Sequence, residues 1–360
     1  MKKFYMFFVL ALLAALVVPV LAENVDVGVV LPTMDEPRWL QDQARFEEVI
    51  KDAGLKTEVL FSQGDPAKER QNVDALINKG IKVLIICPQD ATAAAATAEA
   101  ARDAGVKVIS YDRLITGTDA VDYYVTFDSV AVGEAQGKFL ADNATGTGNP
   151  LYLFAGSAAD NNAFLFFQGV WNVLQPKIAD GTFVIANSSE AVALQDKAEL
   201  TRDEESKIIG QVDTQWDFNV AKKLAEAALT ANDATKKGKV YIYAPNDGTA
   251  RSIADVFADD KDVSSYFITG QDAEVASVQY IIDGKQSMTV WKDTRALAKA
   301  AMDMAVSVIK GEKVDASASY NNQKVDVPSY QAPVTVVTKD NVKSALIDSG
   351  YLAADAVKGY

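Results

Sequence analysis

Short β-branched runs alternate with longer helical stretches from residue 23 onward, in two successive sets, and this confines the chain to parallel βαβ architecture. The first set predicts strands at 25–31, 56–61, 83–87 and 106–111, with helices at 39–53, 66–79 and 92–104. Gly54, Gly80 and Gly105 each fall just past a helix, where a left-handed residue closes the last turn. The second set predicts strands at 151–154, 182–185, 240–243, 266–269 and 287–291, separated by helices at 162–174, 218–231, 250–257 and 275–283. A helix at 295–310, a polar stretch at 311–324, a strand at 335–337 and a last helix at 339–348 complete the chain. The charged segment 188–214 reads as a surface insertion, part helix and part loop. Two doubly wound α/β lobes, each with its own core, fit 360 residues better than one very wide sheet.

Composition removes most chemistry. The chain has no histidine and a single cysteine, Cys87, so intramolecular disulfides, Cys/His zinc sites and Ser-His-Asp triads are excluded. Cys87 itself reads as a small buried hydrophobe. The formal net charge is −14, from 49 acidic against 35 basic residues, which argues against nucleic acid or an anionic membrane as partner. There is no phosphate-binding glycine loop, and the acidic run 255–262 lacks the spacing and central glycine of an EF-hand. No metal and no cofactor are expected.

Residues 1–22 carry Lys2, Lys3, an apolar run at 4–18, then Pro19 and a small residue, Ala22. This pattern predicts a secretory signal cleaved near Ala22, leaving a soluble periplasmic protein. A membrane anchor is the competing reading, but the run is short for a bilayer span. A lipid anchor would need a cysteine at the junction, and none is there.

In an open parallel sheet, ligands sit outside the carboxyl ends of the strands. The residues that follow the predicted strands are polar: Arg38 and Trp39; Gln89 and Asp90; Asp112 and Arg113; Asp160, Asn161 and Asn162; Asn246 and Asp247; Gln271 and Asp272; Lys292. Carboxylates accept from vicinal hydroxyls, an arginine fork donates in a fixed plane, and an amide does both. Trp39 and Trp216 are the aromatic candidates for the apolar faces of a ring. Together these types suit a monosaccharide. Each cluster also has a structural reading: Asp160 and Asp272 suit helix N-caps, Asp112-Arg113 suits a loop ion pair, and Trp39 suits a core.

Arg38-Trp39, Tyr111-Asp112-Arg113, Phe127-Asp128, Asp160-Asn161-Asn162-Ala163, Asn246-Asp247, Gly270-Gln271-Asp272-Ala273 and Lys292 stand in the order found in the periplasmic aldose-binding proteins of sugar ABC transporters. The chain resembles the xylose-binding and multiple-sugar-binding receptors of that family from about residue 25 to the end, including Val327-Pro328-Ser329-Tyr330. The resemblance implies the type I periplasmic-binding-protein fold, with two lobes joined by a three-segment hinge near 127–129, 290–293 and 324–327. One lobe would hold 23–127 and 292–325, the other 128–291 and 326–360. The implied ligand-binding set is Arg38, Trp39, Asp112, Arg113, Asp160, Asn162, Trp216, Asn246, Asp272 and Lys292. Also implied are capture of an aldopentose or aldohexose such as xylose, glucose, galactose or arabinose, with no catalysis. The implied partners are an ABC permease and ATPase in the inner membrane and, for some relatives, a chemoreceptor or sensor kinase. The rivals weighed are a glycosidase using Asp112 and Asp272, a transcription regulator's sugar domain, and a receptor for a furanose-derived autoinducer.

Overall fold

Residues 24–359 are described by a computed structural model, and the expected export segment lies outside them. No helix among the described residues is long and apolar enough to cross a membrane. The first lobe opens with β1 (Val27–Leu31), α1 (Pro37–Ala53), β2 (Thr57–Phe61), α2 (Pro66–Asn78), β3 (Val83–Ile86), α3 (Ala94–Asp103), β4 (Lys107–Tyr111) and β5 (Tyr123–Phe127). Local chemistry sets these bounds. Pro37 and Pro66 occupy first helical turns, the Asp65 carboxylate caps α2, and Gly54 ends α1 in the left-handed conformation.

The second lobe follows with α4 (Ser129–Asn143), β6 (Asn149–Leu153), α5 (Asn161–Ala179), β7 (Phe183–Ile185), α6 (Ser189–Ala193) and α7 (Arg202–Val212). It continues through α8 (Phe218–Ala231), β8 (Gly238–Tyr243), α9 (Asp247–Asp259), β9 (Val263–Ile268), α10 (Val275–Asp283) and β10 (Thr289–Lys292). The chain then returns to the first lobe for α11 (Thr294–Lys310), β11 (Ala318–Asn321) and β12 (Asp326–Ala332), and goes back for β13 (Val334–Val337).

The first sheet has seven strands in the order β11-β12-β5-β4-β3-β1-β2, parallel except for the β11–β12 pair. Helices cover both of its faces, so β1 and β3 are buried at every position. Val27, Val29, Val83 and Ile85 meet Phe46 of α1 and Leu297 of α11 on one face. Val30, Leu84 and Ile86 meet Leu76 of α2 and Ala98 of α3 on the other. The second sheet, β7-β6-β8-β9, is parallel and repeats the plan. Strands β10 and β13 form a separate antiparallel ribbon between the lobes.

Four expectations need correction. The third crossing lies between β12 and β13, not near 324–327, because β12 pairs with β5 from Ser329↔Tyr124 to Ala332↔Phe127. Residues 326–332 therefore belong to the first lobe's sheet. The segment 188–214 is more than a surface insertion: Ile208, Ile209 and Val212 of α7 are buried against α5 in the second lobe's core. The polar stretch 311–324 contains β11, and the last helix shrinks to one π-helical turn at Lys343–Ile347. Helix α4 was not expected at all. It runs so close to α5 that a Cβ on Gly133 would lie 2.0 Å from the Phe166 carbonyl oxygen, and one on Gly169 would lie 2.1 Å from that of Val130.

One buried acid outside the cleft gives the fold a pH dependence. Glu69 of α2 accepts a hydrogen bond from the Gln89 backbone N–H at 2.7 Å, and burial pushes its pKa up to about 7. Its contribution to stability is complete below the unfolded value near 4.5 and is lost as the pH rises through about 7, a loss of up to about 3 kcal/mol. Burial raises Glu205 to about 7 as well. Glu69→Gln is expected to lessen the decline in urea-measured stability between about pH 5 and pH 8 by up to about 3 kcal/mol. An unchanged slope would contradict this account.

Candidate functional site

Strand ends from the two lobes face each other across a narrow cleft that their own side chains nearly fill, leaving a cavity of about 20 Å³. All ten sequence-predicted residues line this cavity: Arg38, Trp39, Asp112, Arg113, Asp160, Asn162, Trp216, Asn246, Asp272 and Lys292. Glu36, Phe166 and Gln271 line it too, although none was in that set. Gln89 and Asp90 do not reach it. Asp90 accepts from the Thr92 and Ala93 backbone N–H groups at the start of α3 instead.

Arg38 organises one side. Its guanidinium is buried and serves three carboxylates: Asp42 through Nε at 2.5 Å, Asp112 through Nη2 at 2.7 Å, and Asp272 through Nη1 at 3.2 Å. Asp42 lies one helical turn along α1 and also accepts a short hydrogen bond from the Tyr111 hydroxyl, so the fork is held from behind. Asp272 is shared with Lys292 Nζ at 2.9 Å. Burial alone would raise the Asp112 pKa, but the charges of Arg38 and Lys292 outweigh it and hold the group below the usual carboxylate range. Lys292 also stands 5.7 Å from the Phe127 ring centre and 5.6 Å from that of Phe166.

Arg113 organises the other side. It pairs with Asp160 at 3.0 Å and with Glu36 at 3.5 Å, so its partners lie elsewhere than in the alternative Asp112-Arg113 loop pair. Asp160 is a cap and an ion-pair partner at once: Oδ1 caps α5 through the Asn162 N–H at 2.9 Å, and Oδ2 holds Arg113. Burial raises its pKa against the pull of Arg113. Asp272 is no cap, since Glu274 occupies that position of α10. The Trp39 ring lies 5.1 Å from the Arg38 guanidinium and 5.0 Å from that of Arg113, and it belongs to the first lobe's core as well.

The amides are tied down in the same way. Asn162 donates to the Asp112 carbonyl at 2.9 Å, across the gap between lobes. Asn246 caps α9 by accepting from Thr249, which leaves its NH₂ to the cavity. The Trp216 indole N–H and Gln271 Oε1 line the cleft and are buried with no hydrogen-bond partner among the described residues, so both have unused hydrogen-bonding capacity there. Asp112, Trp216 and Asp272 all have positive φ, at 59°, 59° and 101°. Backbone strain of about 1–3 kcal/mol per residue is thus stored at loop positions that border the cleft.

Comparison with known proteins identifies the family. The family model described as "Periplasmic binding protein domain" matches residues 27–313. The multiple sugar-binding periplasmic protein SbpA of Azospirillum brasilense is 33% identical over 344 residues, covering 92% of this chain and 91% of that one. The D-xylose-binding periplasmic protein of Escherichia coli K12 is 31% identical over 332 residues, covering 92% of each. A crystal structure of a carbohydrate transporter solute binding protein from Chloroflexus aurantiacus, in complex with D-glucose, superposes with a TM-score of 0.92. It is 68% identical, covering 93% of this chain and 99% of that one. Two doubly wound lobes, a polar cleft between them and these relatives together make the chain a member of the periplasmic binding protein family.

Proposed function

We propose that the protein captures one neutral monosaccharide in the periplasm, with D-glucose the first candidate, and delivers it to an ABC importer without altering it. The observation that carries this reading is the lining of the cleft: walls from both lobes, with planar charged groups, amides and two tryptophans converging between them. The glucose-bound relative at 68% identity supports the choice of sugar. The glycosidase reading loses its catalytic pair, because Asp112 and Asp272 are both salt-bridged to Arg38 and neither is free to act as an acid.

The mechanism follows from what bridges the lobes. Arg38 to Asp272, Arg113 to Asp160 and Asn162 to Asp112 all join residues on opposite sides of the cleft. A sugar whose hydroxyls bond to both sides stabilises the closed form over the open one, and closure is what the importer reads. Export with cleavage near Ala22 completes the reading, and N-terminal sequencing of the mature protein tests it.

Calorimetry with glucose, galactose, xylose and arabinose is expected to give one-to-one binding for at least one sugar, with glucose tightest. Solution scattering is expected to show a smaller radius of gyration at saturation. Failure of all four sugars to bind, or an invariant radius, would overturn the proposal.

A further inference from the structure

Every cation of the cleft is already spoken for. Arg38 serves Asp42, Asp112 and Asp272; Lys292 serves Asp272; Arg113 serves Asp160 and Glu36. Four acids line the cavity against three bases, and Asp42 stands behind them as a fifth. Among these acids Glu36 is placed unlike the rest. It occupies the N-cap position of α1, yet its side chain makes no capping hydrogen bond. The carboxylate reaches instead to Arg113 Nη2, and the side chain remains about one-fifth exposed, at the edge of an otherwise buried set. Arg113 has its closer partner in Asp160, so Glu36 is not needed to neutralise it.

We propose that Glu36 is a charge filter: it keeps sugar acids such as uronates out of a cleft that admits the corresponding neutral aldoses. The inference rests on the monosaccharide reading above and adds a specificity determinant to it. Glu36 lines the same narrow cleft as the other charged groups, so the carboxylate of a six-carbon sugar acid bound there lies within a sugar's own reach, about 8 Å, of it. At that range a like charge in a partly screened site opposes binding by about tenfold or more. A neutral hydroxymethyl in the same place meets no such opposition. Removing the Glu36 charge leaves Arg113 with one carboxylate partner and a share of its positive field for the ligand.

The test uses calorimetry of the wild type, Glu36→Gln and Glu36→Ser with D-glucose, D-glucuronate and the neutral D-glucuronamide. Thermal melting of each variant accompanies it, and the serine variant serves if the glutamine one does not fold. The wild type is expected to bind glucose well and glucuronate poorly, and each variant to raise the glucuronate-to-glucose affinity ratio at least tenfold, with a much smaller change for glucuronamide. An unchanged ratio, or an equal gain for glucuronamide, overturns the filter, the latter because it makes the effect one of size. Wild-type protein that binds glucuronate as tightly as glucose overturns it as well. Wild-type protein that binds no aldose defeats instead the reading on which the inference rests.

Discussion

Arg38→Met is expected to abolish sugar binding and to destabilise the sugar-free protein by about 3–5 kcal/mol. Methionine roughly keeps the length of the side chain but removes the one cation that Asp42, Asp112 and Asp272 share. All three carboxylates are buried, and Asp42 has no exposure at all, so water cannot replace the guanidinium. An unpaired buried carboxylate takes up a proton more readily in the native state than in the unfolded chain. Its native pKa then stands above the unfolded value, and the variant's deficit shrinks as the pH falls. Urea denaturation at neutral and mildly acidic pH measures this directly. A neutral-pH deficit below about 1 kcal/mol, or one that grows in acid, would show that the three acids do not depend on Arg38.

Gly156→Ala is expected to weaken sugar binding at least a hundredfold, or about 3 kcal/mol, through Trp216. A Cβ at position 156 would lie 2.0 Å from Cη2 and 2.1 Å from Cζ2 of the indole, well inside contact distance. The ring has little room to retreat. Gln215 and Trp216 both hold left-handed φ angles, and Phe166 stands edge-on at 6.3 Å. The indole is therefore driven toward the cavity. Tryptophan fluorescence is expected to shift in the sugar-free variant while its melting temperature falls only slightly. Normal affinity in Gly156→Ala would mean that the indole finds another seat.

The repeated βαβ plan was legible because β1, β3, β6 and β8 contain apolar runs ended by turn residues, and those runs are buried, in β8 from Val240 onward. Helix α4 was not, because Gly133 and Gly137 look like breakers in sequence, whereas in the fold they let α4 approach α5. Pro328 hid β12 in the same way, since a proline argues against a strand flanked on both sides. The site was largely legible from the residues that follow strands. Glu36 also follows β1, but a single acid ahead of Pro37 gives no sign in sequence that its carboxylate turns to Arg113 instead of capping α1. Phe166 escaped because it lies one turn beyond Asn162 on α5, where only the helical spacing of four residues points to it. The bridging of Arg38 to three acids could not be read at all, since Asp272 is 234 residues away in the chain.

The pairing of β12 with β5 has a consequence for how the molecule is made. After β5 emerges, about two hundred residues, including nearly all of the second lobe, must follow before the strand that covers its edge exists. The first lobe thus cannot finish its sheet vectorially, and the order of synthesis is not the order of completion. Until residues 326–332 arrive, β5 presents an unpaired strand edge open to mispairing. A nascent chain stopped short of β12 would carry a whole second lobe beside an incomplete first one.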